Sequence, residues 1–356
     1  MADPTFLFTT CQITAERALK AETARLWPDL RLAFSRPGFV TWKLPTRHGL
    51  SDDFHPHLVF ARSHGFSLGK VTGETDAARV EAARQLVGAI NFDELHVVIR
   101  GETPSEQVPS AVAVLGEALG WQPLALREAA VAARVTRPKT SAARSPLVLD
   151  CILVEPCLWW LGFHRVTEIA TSWPGGWHLA PLPEHAVSRA YLKMDEALAW
   201  SQIPVAPGEQ VAEIGCSPGG ASQALLDRGL IVLGIDPAQV DQRVIAHPHF
   251  THLRKRGHEV RRREFRKTRW LTADMNVAPQ YTLDTVEAIV SHPEVNVRGM
   301  LLTLKLLEWS LAGQIPACLE RIRSWGYADV QARQLSHNRQ EICVAARLHA
   351  TARPDG

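Results

Sequence analysis

The 356-residue sequence lacks several things, and each shortage excludes a class of protein. Its six cysteines, Cys11, Cys151, Cys157, Cys216, Cys318 and Cys343, form no CxxC pair and no compact Cys/His set of zinc spacing. They are expected to be free thiols in a reducing compartment rather than a disulfide framework. No apolar run approaches the ~20 residues that a helix needs to cross a bilayer. The N-terminus, MADPTFLFTTCQITAER, has an acid at Asp3, no basic n-region and no small-residue cleavage site, so no signal peptide is expected and a cytoplasmic location is. The dinucleotide fingerprint GxGxxG is absent, as is any internal repeat. Net charge is also nearly absent, at +2. What remains is an ordinary globular composition, 46% hydrophobic and 21% charged, long enough for two or three domains.

The charge is unevenly placed. Arg254, Lys255, Arg256, Arg261, Arg262, Arg263, Arg266, Lys267 and Arg269 stand against only Glu259 and Glu264. A block this dense is a candidate phosphate-contacting surface, because each cation that neutralises a phosphate releases condensed counterions.

Patterning divides the chain into three. Residues 1–50 read as a small α+β module, with a strand at FLFTTCQ, a helix over Thr14–Trp27 and a strand at FVTWKLP. Residues 51–172 read as a second α+β module. It has strand-like LVFAR and FSLGKV, a helix over Ala77–Ile90 capped by Thr75 or Asp76, a strand at LHVVIR and a helix over Ser105–Leu119. The polar stretch Arg134–Pro146 reads as a loop, and LVLDCILVEP and WWLGFHRVTEI as a hairpin. Residues 173–356 alternate helix and strand, with strands at Gln210–Ile214, Leu230–Ile235, Thr268–Met275, Gly299–Leu307 and Glu341–Leu348. That alternation predicts a mostly parallel, Rossmann-like α/β sheet.

Within it, Glu213-Ile214-Gly215-Cys216-Ser217-Pro218-Gly219-Gly220 follows an apolar strand and opens a helix. Glycines there let the backbone turn tightly and approach a ligand, and a helix start offers unpaired N–H groups. Asp236, at the end of the next strand, is placed to accept from both hydroxyls of a ribose. A proline in the loop and the missing GxGxxG favour S-adenosylmethionine over a dinucleotide as cofactor.

Four charged residues stand at element ends: Lys193 in the helix SRAYLKMDEALAW, Asp274 closing TRWLTADM, Lys305 in MLLTLKLLEW and Glu341 opening EICVAAR. A lysine in a buried strand is costly unless paired. SRAYLK, EIGCSPGG, ADM, LTLKL and RQLSHNRQE together resemble the motifs of FtsJ-type RNA 2′-O-ribose methyltransferases, with their Lys-Asp-Lys-Glu tetrad. The resemblance extends to HLVFAR, LHVV and ILVEPCLWWLGF, and so over nearly the whole chain.

It implies a ferredoxin-like module over 1–50, a THUMP-like RNA-binding domain over 51–172 and a methyltransferase domain over 173–356. It also implies methylation of a ribose 2′-hydroxyl, of a cytidine in large-subunit (23S) ribosomal RNA, by a monomer and without a metal. Lys305 would accept the hydroxyl proton, which requires it to be partly neutral; burial and the neighbouring positive Lys193 would favour that. Asp274 and Glu341 would orient the lysines and the hydroxyl. Ser188, Glu213, Gly215, Ser217, Pro218, Gly219, Gly220, Asp236 and Asp274 would line the cofactor. The chain departs from the family in having Glu213 for Asp, Ala221 for an aromatic, and Arg256 where an adenine-side acid is expected. A non-catalytic RNA-binding protein of the same fold is the rival reading; retention of all four charged residues argues against it.

Overall fold

The structure, a computed structural model, describes residues 4–101, 107–120, 132–136 and 145–348. The chain forms two compact units, Met1–Leu179 and Ala180–Gly356.

Among the described residues of the first unit, eight strands make one sheet. They are β1 (Phe6–Thr10), β2 (Arg31–Arg36), β3 (Phe39–Lys43), β4 (Ser63–Thr72), β5 (Glu94–Ile99), β6 (Ala132–Thr136), β7 (Leu147–Glu155) and β8 (Leu158–Arg165), in the order β2-β3-β1-β4-β8-β7-β5-β6. Three helices accompany them: α1 (Glu16–Leu26), α2 (Asp76–Val87) and α3 (Gln107–Ala118). Antiparallel pairing of β1 with β4 carries the ladder across the expected boundary at residue 50. The β7–β8 hairpin forms as the sequence suggests; both strands are buried along nearly their whole length, which is why they read as unbroken apolar runs. Phe8, Phe39, Ile152, Val154 and Trp160 form a core against this sheet. Thr75 caps α2 by accepting from the Ala78 N–H.

Two expectations for this unit fail. LVFAR is not a strand, because the N–H groups of Val59 and Phe60 donate to the buried Glu22 carboxylate instead of a ladder. The stretch from Arg134 is not loop throughout: β6 takes residues up to Thr136 and pairs antiparallel with β5. Residues 137–144 of that stretch, and residues 105–106 of the expected helix, lie outside the described residues.

The second unit comprises α4 (Ala190–Ser201), β9 (Gln210–Ile214), α5 (Gly220–Leu226), β10 (Ile231–Ile235), α6 (Gln242–Ile245), β11 (Phe250–Leu253), β12 (Thr268–Ala273), α7 (Pro279–Val290), β13 (Gly299–Lys305), α8 (Ile315–Ser324), β14 (Asp329–Arg333) and β15 (Glu341–Arg347). The sheet order is β11-β10-β9-β12-β13-β15-β14. Strands β11 to β13 in that order are mutually parallel, and β15 runs antiparallel to both its neighbours. This is the mostly parallel, Rossmann-like sheet expected from the sequence. From β9 the chain winds outward through β10 and β11, then returns to place β12 on the other flank of β9. The reversal leaves a crevice at the carboxyl ends of β9 and β12, where open α/β sheets bind ligands.

Candidate active site

The glycine-rich loop begins at that crevice. Gly215 has φ +84°, and a Cβ there would stand 2.5 Å from the Asp274 carbonyl oxygen. Only glycine lets the ends of β9 and β12 approach this closely, and the Asp274 N–H seals them by donating to the Ile214 carbonyl at 3.0 Å. Gly220 opens α5 against the turn that precedes α4; a Cβ on it would lie 2.8 Å from the Ser188 carbonyl oxygen. Ser188 in turn accepts from the Tyr191 N–H at 3.1 Å and starts the helix that carries Lys193.

Asp236 locks the loop. Its carboxylate accepts the Ser217 N–H at 3.1 Å and the Ala238 N–H at 2.8 Å, while the Ser217 hydroxyl donates to the Gln239 carbonyl at 2.8 Å. The Pro218 carbonyl accepts from the Asp241 N–H at 3.0 Å. Glu213 is buried under the loop, where the Ser222 hydroxyl of α5 donates to it. Burial pushes its carboxyl up to about 8; the Ser222 hydrogen bond offsets this in part, and the negative charges of Asp274 and Asp236 add to it.

The four charged residues predicted from element ends meet at the same edge of the sheet. Lys193 lies in the first turns of α4, Asp274 directly follows β12, Lys305 ends β13 and Glu341 begins β15, directly opposite Lys305 in the ladder. Lys193 Nζ lies 2.7 Å from Asp274 Oδ2 and 2.6 Å from Glu341 Oε1. Lys305 Nζ lies 2.7 Å from Asp274 Oδ1 and also bonds Glu341 Oε2. The result is a square of alternating sign and zero net charge, each member only 11–26% exposed at its side chain. Burial works against the charge of Lys193, but Asp274 and Glu341 outweigh it and hold its pKa above the usual lysine value. Burial likewise opposes the Asp274 charge, and the two lysines overcome it, so its carboxyl sits below the usual range.

Two residues that support the square were not singled out from the sequence. Asn338 donates to Glu341 Oε1 at 3.2 Å. Glu196, one helical turn beyond Lys193 and buried, accepts the N–H groups of Ser336 at 2.6 Å and His337 at 2.9 Å, and so ties the segment before Glu341 to α4. The motif SHNRQE carried a signal for Asn338, but a lone glutamate in a helix carries none for Glu196. A small cavity lined by Lys193, Glu213, Thr272, Asp274, Thr303 and Asn338 opens beside the square.

The stretch expected to carry an adenine-side acid has none at Arg256. Arg256 is exposed, its N–H donating to Glu259 at 2.8 Å, and buried Gly257 packs where a Cβ would come within 3.1 Å of Ile214. Backbone, rather than a carboxylate, thus crosses the end of β9. The basic block is not one surface. Arg254, Lys255 and Arg256 follow β11 at the carboxyl edge, beside the crevice, whereas Arg266, Lys267 and Arg269 lead into or begin β12 at the opposite edge. There Arg266 pairs with Glu294.

Residues 186–313 match the FtsJ-like methyltransferase family. Over 309 residues the chain is 28% identical to ribosomal RNA large subunit methyltransferase M of Halorhodospira halophila, spanning 83% of this chain and 82% of that protein. It is 31% identical over 197 residues to the protein of the same name from Azotobacter vinelandii, spanning 51% of this chain and 54% of that protein. With the Xanthomonas campestris pv. campestris (strain B100) protein of that name it shares 28% identity over 303 residues, 81% of this chain and 82% of the other. The second unit therefore carries an FtsJ-like methyltransferase domain, and its cofactor is S-adenosylmethionine. The residues fit that group. The crowded glycines at 215 and 220 leave backbone rather than side chains facing the crevice, and Asp236 stands at the end of the strand beside it.

Proposed function

We propose that this chain methylates the 2′-hydroxyl of a ribose, in a cytidine of large-subunit ribosomal RNA. The observation that supports this best is the alternating square of Lys193, Asp274, Lys305 and Glu341 beside the loop 215–220, joined to it by the backbone contact of Gly215 with Asp274.

S-adenosylmethionine supplies, when bound, a methyl group on a sulfonium centre that is ready for displacement. The chain's own task is to bring a hydroxyl in line with that methyl and take its proton. Ser188, the loop 215–220, Asp236 and Asp274 would hold the cofactor, with Glu213 bracing the loop through the Ser222 hydroxyl. Lys305 Nζ receives the hydroxyl proton as the oxygen takes the methyl group. To do so it must first give up an ammonium proton and exchange one carboxylate partner for the hydroxyl. Lys193, held charged by Asp274 and Glu341, stays a fixed cation that keeps both acids ionised and oriented. Much of the acceleration then comes from alignment rather than from a strong base.

Arg254, Lys255 and Arg256 serve RNA phosphates at the site's edge, and the first unit supplies further RNA contacts as a ferredoxin-like module (1–50) and a THUMP-like domain (51–172). All four members of the square come from one chain, which suits a monomer, and six unpaired thiols suit the cytoplasm. Mapping ribose methylation in ribosomal RNA from cells with and without the protein tests the reading. One large-subunit cytidine should lose its methyl group in the deletion strain, and unchanged maps would refute it.

A further inference from the structure

Far from the square in sequence, the first unit buries a second set of ionisable side chains that methyl transfer does not use. His96 on β5, Asp150 on β7 and His164 on β8 come from three neighbouring strands, with His96 and Asp150 directly opposite in the ladder. All three are almost completely buried, at 0%, 2% and 5% exposure, and Glu94 beside them is 5% exposed. Their ligand atoms fall within 4.8 Å of one another.

A carbonyl or a carboxylate stands behind each of the two imidazoles, as behind metal-ligating histidines. His164 Nε2 is 2.8 Å from the Thr171 carbonyl oxygen, which can only accept, so Nε2 donates to it; Nδ1 is hydrogen-bonded to Asp150 at 2.6 Å through a proton that a metal ion would displace. His96 is oriented in the same way. Its Nε2 lies 3.4 Å from Glu94 Oε2 and its Nδ1 3.9 Å from Asp150 Oδ1, and neither nitrogen makes a hydrogen bond. A fully buried imidazole with no hydrogen bond leaves the desolvation penalty of its nitrogens uncompensated unless something else occupies it. In metal sites each ligating histidine donates its second N–H to a carboxylate or carbonyl. Glu94 and Thr171 stand in those two places.

We propose that His96 Nδ1, His164 Nδ1 and the Asp150 carboxylate bind one divalent transition cation of the zinc type, with Glu94 and the Thr171 carbonyl holding the two rings. The donor set, two imidazoles and one carboxylate, suits zinc rather than magnesium or calcium, which prefer oxygen alone. The role is structural: the ion clamps the three neighbouring strands β8, β7 and β5 together. It is independent of the methyltransferase reading.

A rival zinc binder lies on the surface, where His55, His57 and Glu168 cluster. His55 Nδ1 accepts the His57 N–H at 3.0 Å, so its other nitrogen carries a proton and is poorly disposed to a metal. The test therefore separates the two. The full chain, expressed with zinc, is desalted through EDTA and its metal measured by mass spectrometry, for the wild type, His96→Gln, Asp150→Asn and His57→Ala. About one zinc per chain is expected in the wild type and in His57→Ala, falling at least about tenfold in His96→Gln and Asp150→Asn. Cobalt in place of zinc should give the visible d–d bands of a low-coordinate nitrogen–oxygen site in the wild type. Should the buried variants fail to fold, the wild-type zinc content and cobalt spectrum decide alone. Wild-type protein without retained zinc or cobalt bands, or zinc lost only from His57→Ala, overturns the proposal in favour of a metal-free buried His164–Asp150 pair.

Discussion

Replacing Lys305 by alanine removes one corner of the square and leaves Asp274 and Glu341 sharing the single cation Lys193. Two consequences follow, of different size. Breaking a buried ion pair from one side costs about 3–5 kcal/mol, and the partial exposure of these side chains (11–26%) brings the expected loss below that range, to about 2–3 kcal/mol. Loss of the proton acceptor should cost the rate about 10²–10⁴-fold. Cofactor affinity should change by no more than about threefold, because the loop 215–220 is held by Asp236, Ser188 and backbone, not by Lys305. Lys305→Arg separates the two effects. Its guanidinium restores the positive corner but does not give up its proton at any ordinary pH, so stability should recover while activity does not. The assays are transfer of labelled methyl to RNA, calorimetric binding of S-adenosylmethionine and thermal unfolding. Substantial transfer by Lys305→Ala, above about a tenth of wild type, would refute the assignment of the proton to Lys305. The square should also show in acid. Asp274 has its pKa depressed in the folded state, so its contribution is full above the ordinary aspartate value and is lost as pH falls through the folded one. Lys193 has its pKa raised, so its contribution is full below the ordinary lysine value and is lost only as pH rises through the folded one. Between those limits both act, and Lys305→Ala should begin to unfold at a higher pH on the acid side than the wild type.

Gly215→Ala places a methyl group against the Asp274 carbonyl at a left-handed φ; it should lower the melting temperature and weaken S-adenosylmethionine binding at least about tenfold by calorimetry. Burial raises the pKa of Glu213, so its favourable contribution is present below its ordinary pKa and lost as pH rises toward about 8. Glu213→Gln, which stays neutral, should therefore flatten the fall in unfolding free energy between about pH 5 and 8, on the order of a few kcal/mol in wild type; an unchanged slope would count against it. Arg254, Lys255 and Arg256 changed together to alanine should weaken RNA binding and reduce its salt slope by about 0.7–0.9 for each phosphate that is no longer neutralised. Arg266→Ala with Lys267→Ala, at the far edge, should leave both unchanged in the same titration.

How much of this was legible depended on where each residue sits. Strands β9, β12 and β13 are buried and read as apolar runs closed by glycine or a charge, so the domain and its four charged corners were visible in sequence. Edge strands were not. RLAFSR, FTHL and DVQAR are short, lie at or next to sheet edges and are partly exposed, and nothing in their patterning set them apart from loop. LVFAR misled for the opposite reason, being apolar because it is buried while its backbone is spent on Glu22. The density of arginines between 254 and 269 was plain, but sequence cannot show that the chain crosses from one sheet edge to the other within it. Histidines 96 and 164 were invisible as a pair, because three strands and a ladder register are needed to bring them together.

The central claim is that the transferred methyl lands on a ribose oxygen. A 2′-O-methyl group leaves no nucleophile to cleave the adjoining phosphodiester in alkali. Purified chain, labelled S-adenosylmethionine and large-subunit ribosomal RNA lacking its own modifications, followed by alkaline hydrolysis, should therefore leave the label in an alkali-resistant dinucleotide beginning with cytidine. Label released in mononucleotides would place the methyl on a base and contradict the account.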